Sequence, residues 1–214
     1  MLVRDPEALP MYQCTNAGQS RAITANRVSY FSDLRGPSVT VDTACSVSLV
    51  ALHLGCQSLR TGDTSTAIVA GVNTILSHEF MSTMSMMKFL SPTGAAIPLM
   101  SVPTAMRAAR PLADAIRDHD TIQAVIRGPG SNRDGRTPGI TLPSVDAQEA
   151  LIRHVYEAAG LDPLETEFVE AHGTGTQAGD PIEMEASSRV FGPGRSKDSP
   201  LRVGSIKSNV GHEV

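Results

Sequence analysis

A cysteine and two histidines stand at similar places in the sequence, each soon after a segment that is predicted to be a β-strand. Cys45 lies between a predicted strand and a predicted helix, His172 precedes a glycine-rich turn, and His212 follows the last predicted strand. The three residues are 127 and 40 positions apart. Since the carboxyl ends of parallel strands gather around one crevice, we expect the three side chains to converge there.

A thiol at the N-terminus of a helix meets free backbone N–H groups and the positive end of the helix dipole, which favour the nucleophilic thiolate. Cys45 is in that position, on a sharp turn that exposes the side chain, as in the nucleophile elbow of unrelated hydrolases. Most isolated cysteines are instead buried structural residues, and Cys56, inside the predicted helix, fits that description. The sequence therefore favours Cys45 as the nucleophile.

Other kinds of site find less support in the sequence. The turn Gly173-Thr-Gly-Thr176 exposes backbone N–H groups, but the chain has neither GxxxxGK[ST] nor a GxGxxG that opens a helix, which argues against nucleotide binding. A metal site formed by the cysteine and the two histidines remains open, although no close-spaced ligand pair supports it. A Cys–His hydrolase would need a third group to orient the histidine, and no local hydrolase signature surrounds Cys45.

The hydrophobic pattern predicts alternating strands and helices. Predicted strands cover residues 38–41, 67–72, 121–127, 167–171 and 201–206, and predicted helices cover 46–60, 146–160 and 180–190. Asp146 with Glu149, and Asp180 with Glu183, are predicted to cap the starts of the last two helices. The helix 46–60 is apolar on all sides, which predicts burial, and the flanking strands should pair in parallel. Gly94–Arg110 has no clear period and receives no element. The fold class is therefore α/β.

Composition excludes several functional classes. The net charge of −4 and the aromatic content of 4% supply neither the basic stripe nor the stacking platform of nucleic-acid binders. Three cysteines without a CxxC pair indicate neither a disulfide framework nor a zinc knuckle, and favour a reducing compartment. No apolar run reaches the ~18 residues of a membrane span, and residues 1–10 contain no apolar signal segment. We expect a cytoplasmic protein.

Several motifs, taken together, resemble the β-ketoacyl synthase domains of polyketide synthases, most closely the fungal iterative type. The active-site motifs that carry the resemblance are Asp42-Thr-Ala-Cys-Ser46, Glu170-Ala-His-Gly-Thr-Gly-Thr176 and Lys207-Ser-Asn-Val-Gly-His212. Further similar stretches are Ala25–Tyr30, Asp33–Ser38, Asn132–Arg136 and Gln177–Glu183. The resemblance covers nearly the whole chain except residues 94–110.

The resemblance implies a thiolase-like fold, layered α/β/α/β/α, and an acyltransferase that performs decarboxylative Claisen condensation of malonyl units. It places the acylated cysteine at Cys45, the catalytic histidines at His172 and His212, and the family lysine at Lys207. Thr174 and Thr176 match positions that bind the phosphopantetheine arm of an acyl carrier protein. The implied partners are that carrier, with its acyl and malonyl thioesters, and a second copy in a homodimer. No directly bound cofactor or metal is implied.

The resemblance also divides the chain, with the N-terminal half of a ketosynthase at 1–127 and the C-terminal half at 128–214. Between Phe89–Pro92 and Leu112–Ala115 the family's Phe-Asp loop and Arg-Gly-Glu-Gly stretch are absent, so we expect a strand to be lost there. The chain resembles about half of a synthase domain, incomplete at both ends. A catalytically inactive remnant with a structural or interaction role is therefore the alternative, and little condensation by the isolated chain is expected.

Overall fold

The structure is a computed structural model that describes residues 20–73, 78–86 and 105–212. Its helices are α1 (Thr24–Phe31), α2 (Val47–Thr61), α3 (His78–Met86), α4 (Leu112–Arg117), α5 (Val145–Ala159), α6 (Gly179–Phe191) and α7 (Lys207–Val210). Its strands are β1 (Ala67–Gly71), β2 (Ala105–Ala109), β3 (Phe168–Glu170) and β4 (Arg202–Gly204). Among the described helices, none has the length and apolar character that crossing a bilayer requires.

Helix α2 was predicted to be buried on all sides, and that prediction is wrong. Within α2, whose residues are all described, only Cys56 is buried, and the Leu49 side chain is 71% exposed. One face of the helix lies against β1, where a Cβ added to Gly55 would come within 3.0 Å of the Val69 side chain. The strand covers one side only, so Leu49 and Leu54 are exposed and the other apolar positions are at most half-buried, apart from Cys56.

The first sheet also differs from its prediction. Strand β1 forms at 67–71, as expected for 67–72, but its partner is β2, and the two strands run antiparallel with Ala67 opposite Ala109. No strand forms at 38–41, so the predicted parallel strand–helix–strand unit is absent. Strand β2 lies in the region that received no element and was expected to lose a strand. Its alanine-rich sequence favours helix, and pairing with β1 overrides that propensity.

Residues 121–130, which we call the connecting segment, are predicted to contain a strand at 121–127 but form no regular element. The segment instead lies between two helices. On one side Arg60 of α2 donates to the Arg127 carbonyl at 3.1 Å, and a ring nitrogen of His53 lies 3.3 Å from the Pro129 carbonyl oxygen. On the other side Gly130 lies against Val155 of α5, with no room for a Cβ. The connecting segment is therefore held by side chains of α2 and α5, and not by backbone pairing with a neighbouring strand.

Helix α6, which packs against α5, has the largest number of buried residues among the described helices. Helix α5 covers 145–159 and ends at Gly160, close to the prediction, but Ser144 is its N-cap, accepting from the Ala147 N–H at 3.2 Å. Asp146 and Glu149, predicted to cap it, instead contact Arg189 of α6 at 3.0 and 3.3 Å. The buried side chains at this end of the molecule are Ala171, Ala186, Ser187, Val190 and Phe191.

Strands β3 and β4 pair in parallel, as the fold class requires, with Val169 opposite Val203. The pairing continues past the strand ends, where the Ala171 N–H donates to the Gly204 carbonyl at 2.8 Å. Both predicted strands, 167–171 and 201–206, are therefore present but shorter. Their carboxyl ends lie side by side and lead into the segments that carry His172 and His212.

Candidate active site

The structure brings the predicted nucleophile and both histidines together. The Cys45 sulfur and one ring nitrogen from each of His172 and His212 all lie within 4.8 Å of one another. The two imidazole rings meet edge to face, with centroids 5.0 Å apart and planes at 87°. Cys45 and His172 are exposed and His212 is half-buried. A thiol and two imidazoles can therefore act on the same substrate atoms.

Cys45 lies in a short 3₁₀ turn, Ala44–Ser46, that leads directly into α2. The preceding residue, Ala44, has a φ of 53°, in the left-handed region that residues with a Cβ rarely adopt. Ser46 stabilises the turn by donating from Oγ to the Thr43 carbonyl at 2.9 Å. The helix N-terminus predicted for the thiol is thus present, although the strand predicted before it is not.

Two carboxylates of α6 hold the glycine-rich loop that follows β3. Glu183 accepts from the backbone N–H of His172 at 2.6 Å and from that of Gly173 at 2.9 Å. Asp180 accepts from the N–H groups of Gly175 and Thr176, at 3.1 and 3.2 Å. Sequence reasoning missed this role, because it assigned Asp180 and Glu183 to capping of their own helix. Helix α6 in fact begins at Gly179, so Asp180 is inside it.

The segment that carries His212 is tied to the His172 loop at the end of the parallel strands. Glu170, the last residue of β3, accepts from the Ile206 N–H at 2.7 Å. Ser205 donates from Oγ to the His172 carbonyl at 3.3 Å. Helix α7 then carries the chain through one turn to Gly211 and His212. These bonds fix the distance between the two histidines at the level of the backbone.

Burial and neighbouring charge both keep the imidazoles neutral. Desolvation is the larger cause that lowers the pKa of His172, and the positive charge of Lys207 lowers it further, while Glu183 and Asp180 act in the opposite direction. The pKa of His212 falls to about 4 through desolvation, then through His172 and Lys207. A neutral imidazole keeps one N–H donor and one nitrogen acceptor, so each ring can donate a hydrogen bond to a substrate oxygen.

The remaining predicted site residues lie around this cluster. Lys207 is half-buried at the start of α7, close enough for its charge to act on both histidines. Thr174 is half-buried in the loop between His172 and α6. Thr176 is exposed, and its hydroxyl oxygen accepts from the Gly179 N–H at 3.1 Å, which leaves its hydroxyl proton available to another acceptor.

Comparison with known proteins identifies the family. Residues 3–101 match the N-terminal domain of beta-ketoacyl synthase, and residues 123–214 match its C-terminal domain. The chain belongs to the β-ketoacyl synthase family.

Its relatives are fungal polyketide synthases. The chain is 64% identical over 220 residues to the highly reducing polyketide synthase tstA of Talaromyces stipitatus, and this match covers 99% of the chain and 9% of that protein. It is 57% identical, with the same coverage, to the reducing polyketide synthase PKS1 of Cochliobolus heterostrophus. The chain thus spans about a tenth of the length of these relatives.

Solved structures give the same answer for the fold. The ketosynthase from module 6 of the bacillaene synthase of Bacillus subtilis 168 superposes with a TM-score of 0.83 at 41% identity, covering 91% of this chain and 36% of that one. An oxazolomycin ketosynthase domain of Streptomyces albus JA3453 superposes with a TM-score of 0.81 at 36% identity, covering 90% of this chain and 35% of that one. The chain has the thiolase-like α/β fold of these domains.

Proposed function

We propose that this chain carries the acylation and decarboxylation site of a polyketide-forming ketosynthase, an acyltransferase of secondary metabolism. The observation that carries the proposal is the convergence of Cys45, His172 and His212 within 4.8 Å, although they are far apart in sequence. A thiol accepts acyl groups from thioesters, and paired neutral imidazoles stabilise an enolate. These are the two tasks that a decarboxylative condensation divides between its residues.

In the first step the Cys45 thiolate attacks the carbonyl carbon of an acyl thioester on the carrier protein. The carbon–sulfur bond to the carrier breaks, the carrier sulfur leaves as a thiolate that takes up the proton Cys45 lost when it ionised, and the acyl group remains on the Cys45 sulfur. The exposed thiol at the start of α2 is accessible to such a substrate. Cys45 directly precedes Ser46, the N-cap of α2, and so lies at the positive end of the helix dipole.

In the second step a malonyl thioester, also attached to the carrier protein, binds at the acylated site. Its thioester oxygen accepts hydrogen bonds from the N–H groups of His172 and His212, which stabilise the enolate formed as the carboxylate leaves as carbon dioxide. The enolate carbon attacks the acyl-Cys45 carbonyl, a carbon–carbon bond forms, and the Cys45 thiolate is released. The lowered pKa values of the two histidines keep both rings neutral near pH 7, and each neutral ring retains one N–H donor for that oxygen.

The proposed partner is an acyl carrier protein whose phosphopantetheine arm delivers both thioesters. We assign binding of that arm to Thr174 and Thr176, and their position in the loop between His172 and α6 supports the assignment. Lys207 supplies a positive charge beside both histidines and attracts the malonyl carboxylate. No further cofactor is needed for the two steps.

We also propose the wider setting. Two ketosynthase halves, at 1–127 and 128–214, would contribute the nucleophile and the histidines respectively. A homodimer and a reducing cytoplasmic location remain predictions, and the second agrees with the need of Cys45 for a free thiol. The alternative of a catalytically inactive remnant is less favoured, because a remnant has no need to keep three reactive groups together.

The experiment separates the two steps. The chain is incubated with an acyl thioester and analysed by mass spectrometry, and then with malonyl carrier labelled in the free carboxylate, from which released carbon dioxide is counted. We expect Cys45→Ala to abolish acylation. His172→Ala and His212→Ala should each keep acylation and lower carbon dioxide release by about 10²–10³, the usual cost of one lost donor to a developing oxyanion.

His154→Ala is the matched control, because His154 is exposed on α5 and outside the cluster. It should leave both reactions unchanged. Acylation that persists in Cys45→Ala, or carbon dioxide release that is indifferent to both catalytic histidines, would overturn the assignment. Absence of both reactions in the folded wild-type chain would support the inactive remnant instead.

A further inference from the structure

We propose that Cys45, His172 and His212 also form a reversible binding site for zinc and similar thiolate-preferring divalent ions. The donors are one sulfur and two imidazole nitrogens, which all lie within 4.8 Å of one another. One cysteine and two histidines form a ligand set that suits zinc, and three protein ligands leave the fourth position open to water. The inference deepens the proposed function, since it gives the same thiol a second, inhibitory ligand.

The geometry requires only a small adjustment. Zinc bonds of about 2.3 Å to sulfur and about 2.0 Å to nitrogen place neighbouring tetrahedral ligand atoms about 3.5 Å apart. The observed limit of 4.8 Å must therefore shorten by about an ångström. Cys45 and His172 are exposed and free to change rotamer, whereas the backbone of the His172 loop is fixed by Glu183.

The surrounding charges favour reversible over permanent binding. Lys207 acts on both histidines and opposes a divalent cation at the same place. Glu183 and Asp180 act on His172 with the opposite sign and partly offset that repulsion. Both carboxylates are already bound to backbone N–H groups, so they serve as a negative background and not as ligands.

Binding involves no change of oxidation state. The Cys45 S–H bond breaks, a sulfur–zinc bond forms, and one proton is released to solvent. Acylation turns the Cys45 thiolate into a neutral thioester, which is a poor ligand for zinc, and zinc bound to the thiolate withdraws the charge with which the sulfur would attack an acyl carbon. Acylation and metal binding at Cys45 are therefore mutually exclusive, and zinc should act as a competitive inhibitor of acylation.

The test uses the full 214-residue chain carrying Cys14→Ser, so that one further thiol cannot contribute. Zinc chloride binding is measured by equilibrium dialysis, and cobalt chloride is added separately to look for thiolate-to-cobalt absorption. We expect one zinc per chain. Cys45→Ser, His172→Gln and His212→Gln should each weaken binding by more than the ~10–100-fold that loss of an outer-shell partner costs. His154→Gln, the matched control, should bind zinc as tightly as its parent.

A second measurement does not depend on the folding of any variant. Zinc should protect Cys45 of the unmutated chain from iodoacetamide, and a chelator should restore the reaction. Absence of stoichiometric zinc binding, binding that survives Cys45→Ser, or alkylation that zinc leaves unchanged would each overturn the proposal. Acylation without zinc binding would refute this inference alone, and zinc binding without acylation would refute the proposed function alone.

Discussion

The two described cysteines differ in solvent exposure. Cys45 is exposed and lies at the start of α2, whereas Cys56 is 9% exposed and faces the interior. We expect iodoacetamide to modify Cys45 much faster than Cys56, because the reagent needs both a thiolate and access. Peptide mass spectrometry after a short pulse gives the two rates. Equal rates, or preferential labelling of Cys56, would contradict the assignment of the nucleophile.

The pKa of His212 provides a test of the electrostatics of the site. Its pKa of about 4, against the ordinary 6.5, means that the folded chain keeps this ring neutral as pH falls towards 5. The unfolded chain takes up the proton first, so the stability contribution of His212 is complete above about 6.5 and declines down to about 4. Proton NMR of the ring signals checks this. The His212 signal should stay fixed down to about pH 5 in the folded chain and titrate near 6.5 in urea.

At the residue scale, sequence and structure agree on which side chains meet. Cys45, His172 and His212 converge as predicted, but the premise that each follows a parallel strand holds only for the two histidines, since no strand forms at 38–41. The sequence did not predict that two carboxylates would bind the backbone of the loop that carries His172. Asp180 and Glu183 have the spacing of a helix start, and the bonds they make go backward to a loop whose position depends on the tertiary structure.

Among the elements, the loop after β3 is the one on which the site depends most. It contains no regular structure and is fixed by two carboxylates, by Ser205 and by the strand ends. Any residue other than glycine would be strained at position 173. The backbone there has a φ of 47°, and an added Cβ would lie only 2.7 Å from the Ser205 Cβ. The loop can therefore approach the β4 side closely only because residue 173 has no side chain.

Gly173→Ala should lower the free energy of unfolding by more than the ~1–2 kcal/mol that a left-handed alanine costs, because steric overlap with Ser205 is added. Gly160→Ala is the matched control. Its φ of 62° is similar, and nothing lies within 4 Å of the added Cβ. Urea denaturation of the two variants gives the difference. An equal loss of stability in both variants would show that steric overlap with Ser205 does not contribute to the free energy of unfolding.

The elements that the sequence predicted well are those with local signals. Helices α5 and α6 have clear start signals in the sequence, and both form within two residues of the predicted bounds. The failures depend on pairing between distant segments. Residues 38–41 and 121–127 have strand-like composition but no strand partner in the described chain, and β2 forms where only the edge of β1 favours it.

Over the whole described chain, burial is uneven. Val190 and Phe191 are 5% and 3% exposed, and the Phe191 ring meets Tyr156 edge to face at a centroid distance of 5.3 Å. Near the other end, Tyr30 and Phe31 of α1 are 92% and 91% exposed. Packing free energy is therefore concentrated where α5 and α6 meet, while α1 is held mainly by exposed polar contacts.

Native-state hydrogen exchange should follow this gradient. We expect the amides of α5 and α6 to exchange slowest, near the limit set by global unfolding, and those of α1 to exchange fastest among the described helices. Mass spectrometry of peptic fragments over a time course measures both. Phe191→Ala should erase most of the protection of α5 and α6, since truncation of a buried Phe costs about 3–5 kcal/mol. Strong protection of α1 would contradict this picture.

The connecting segment 121–130 also bears on how the protein is made. It touches α2 on one side and α5 on the other. His53 of α2 therefore meets Pro129 only after 76 further residues have been synthesised. His212 emerges later still. During translation the thiol is therefore exposed before its imidazole partners exist, and contacts of such long sequence separation form late in folding. The nascent chain passes through an interval in which the Cys45 thiol exists without the two imidazoles that we propose as its partners, and an accessible thiol is open to oxidation.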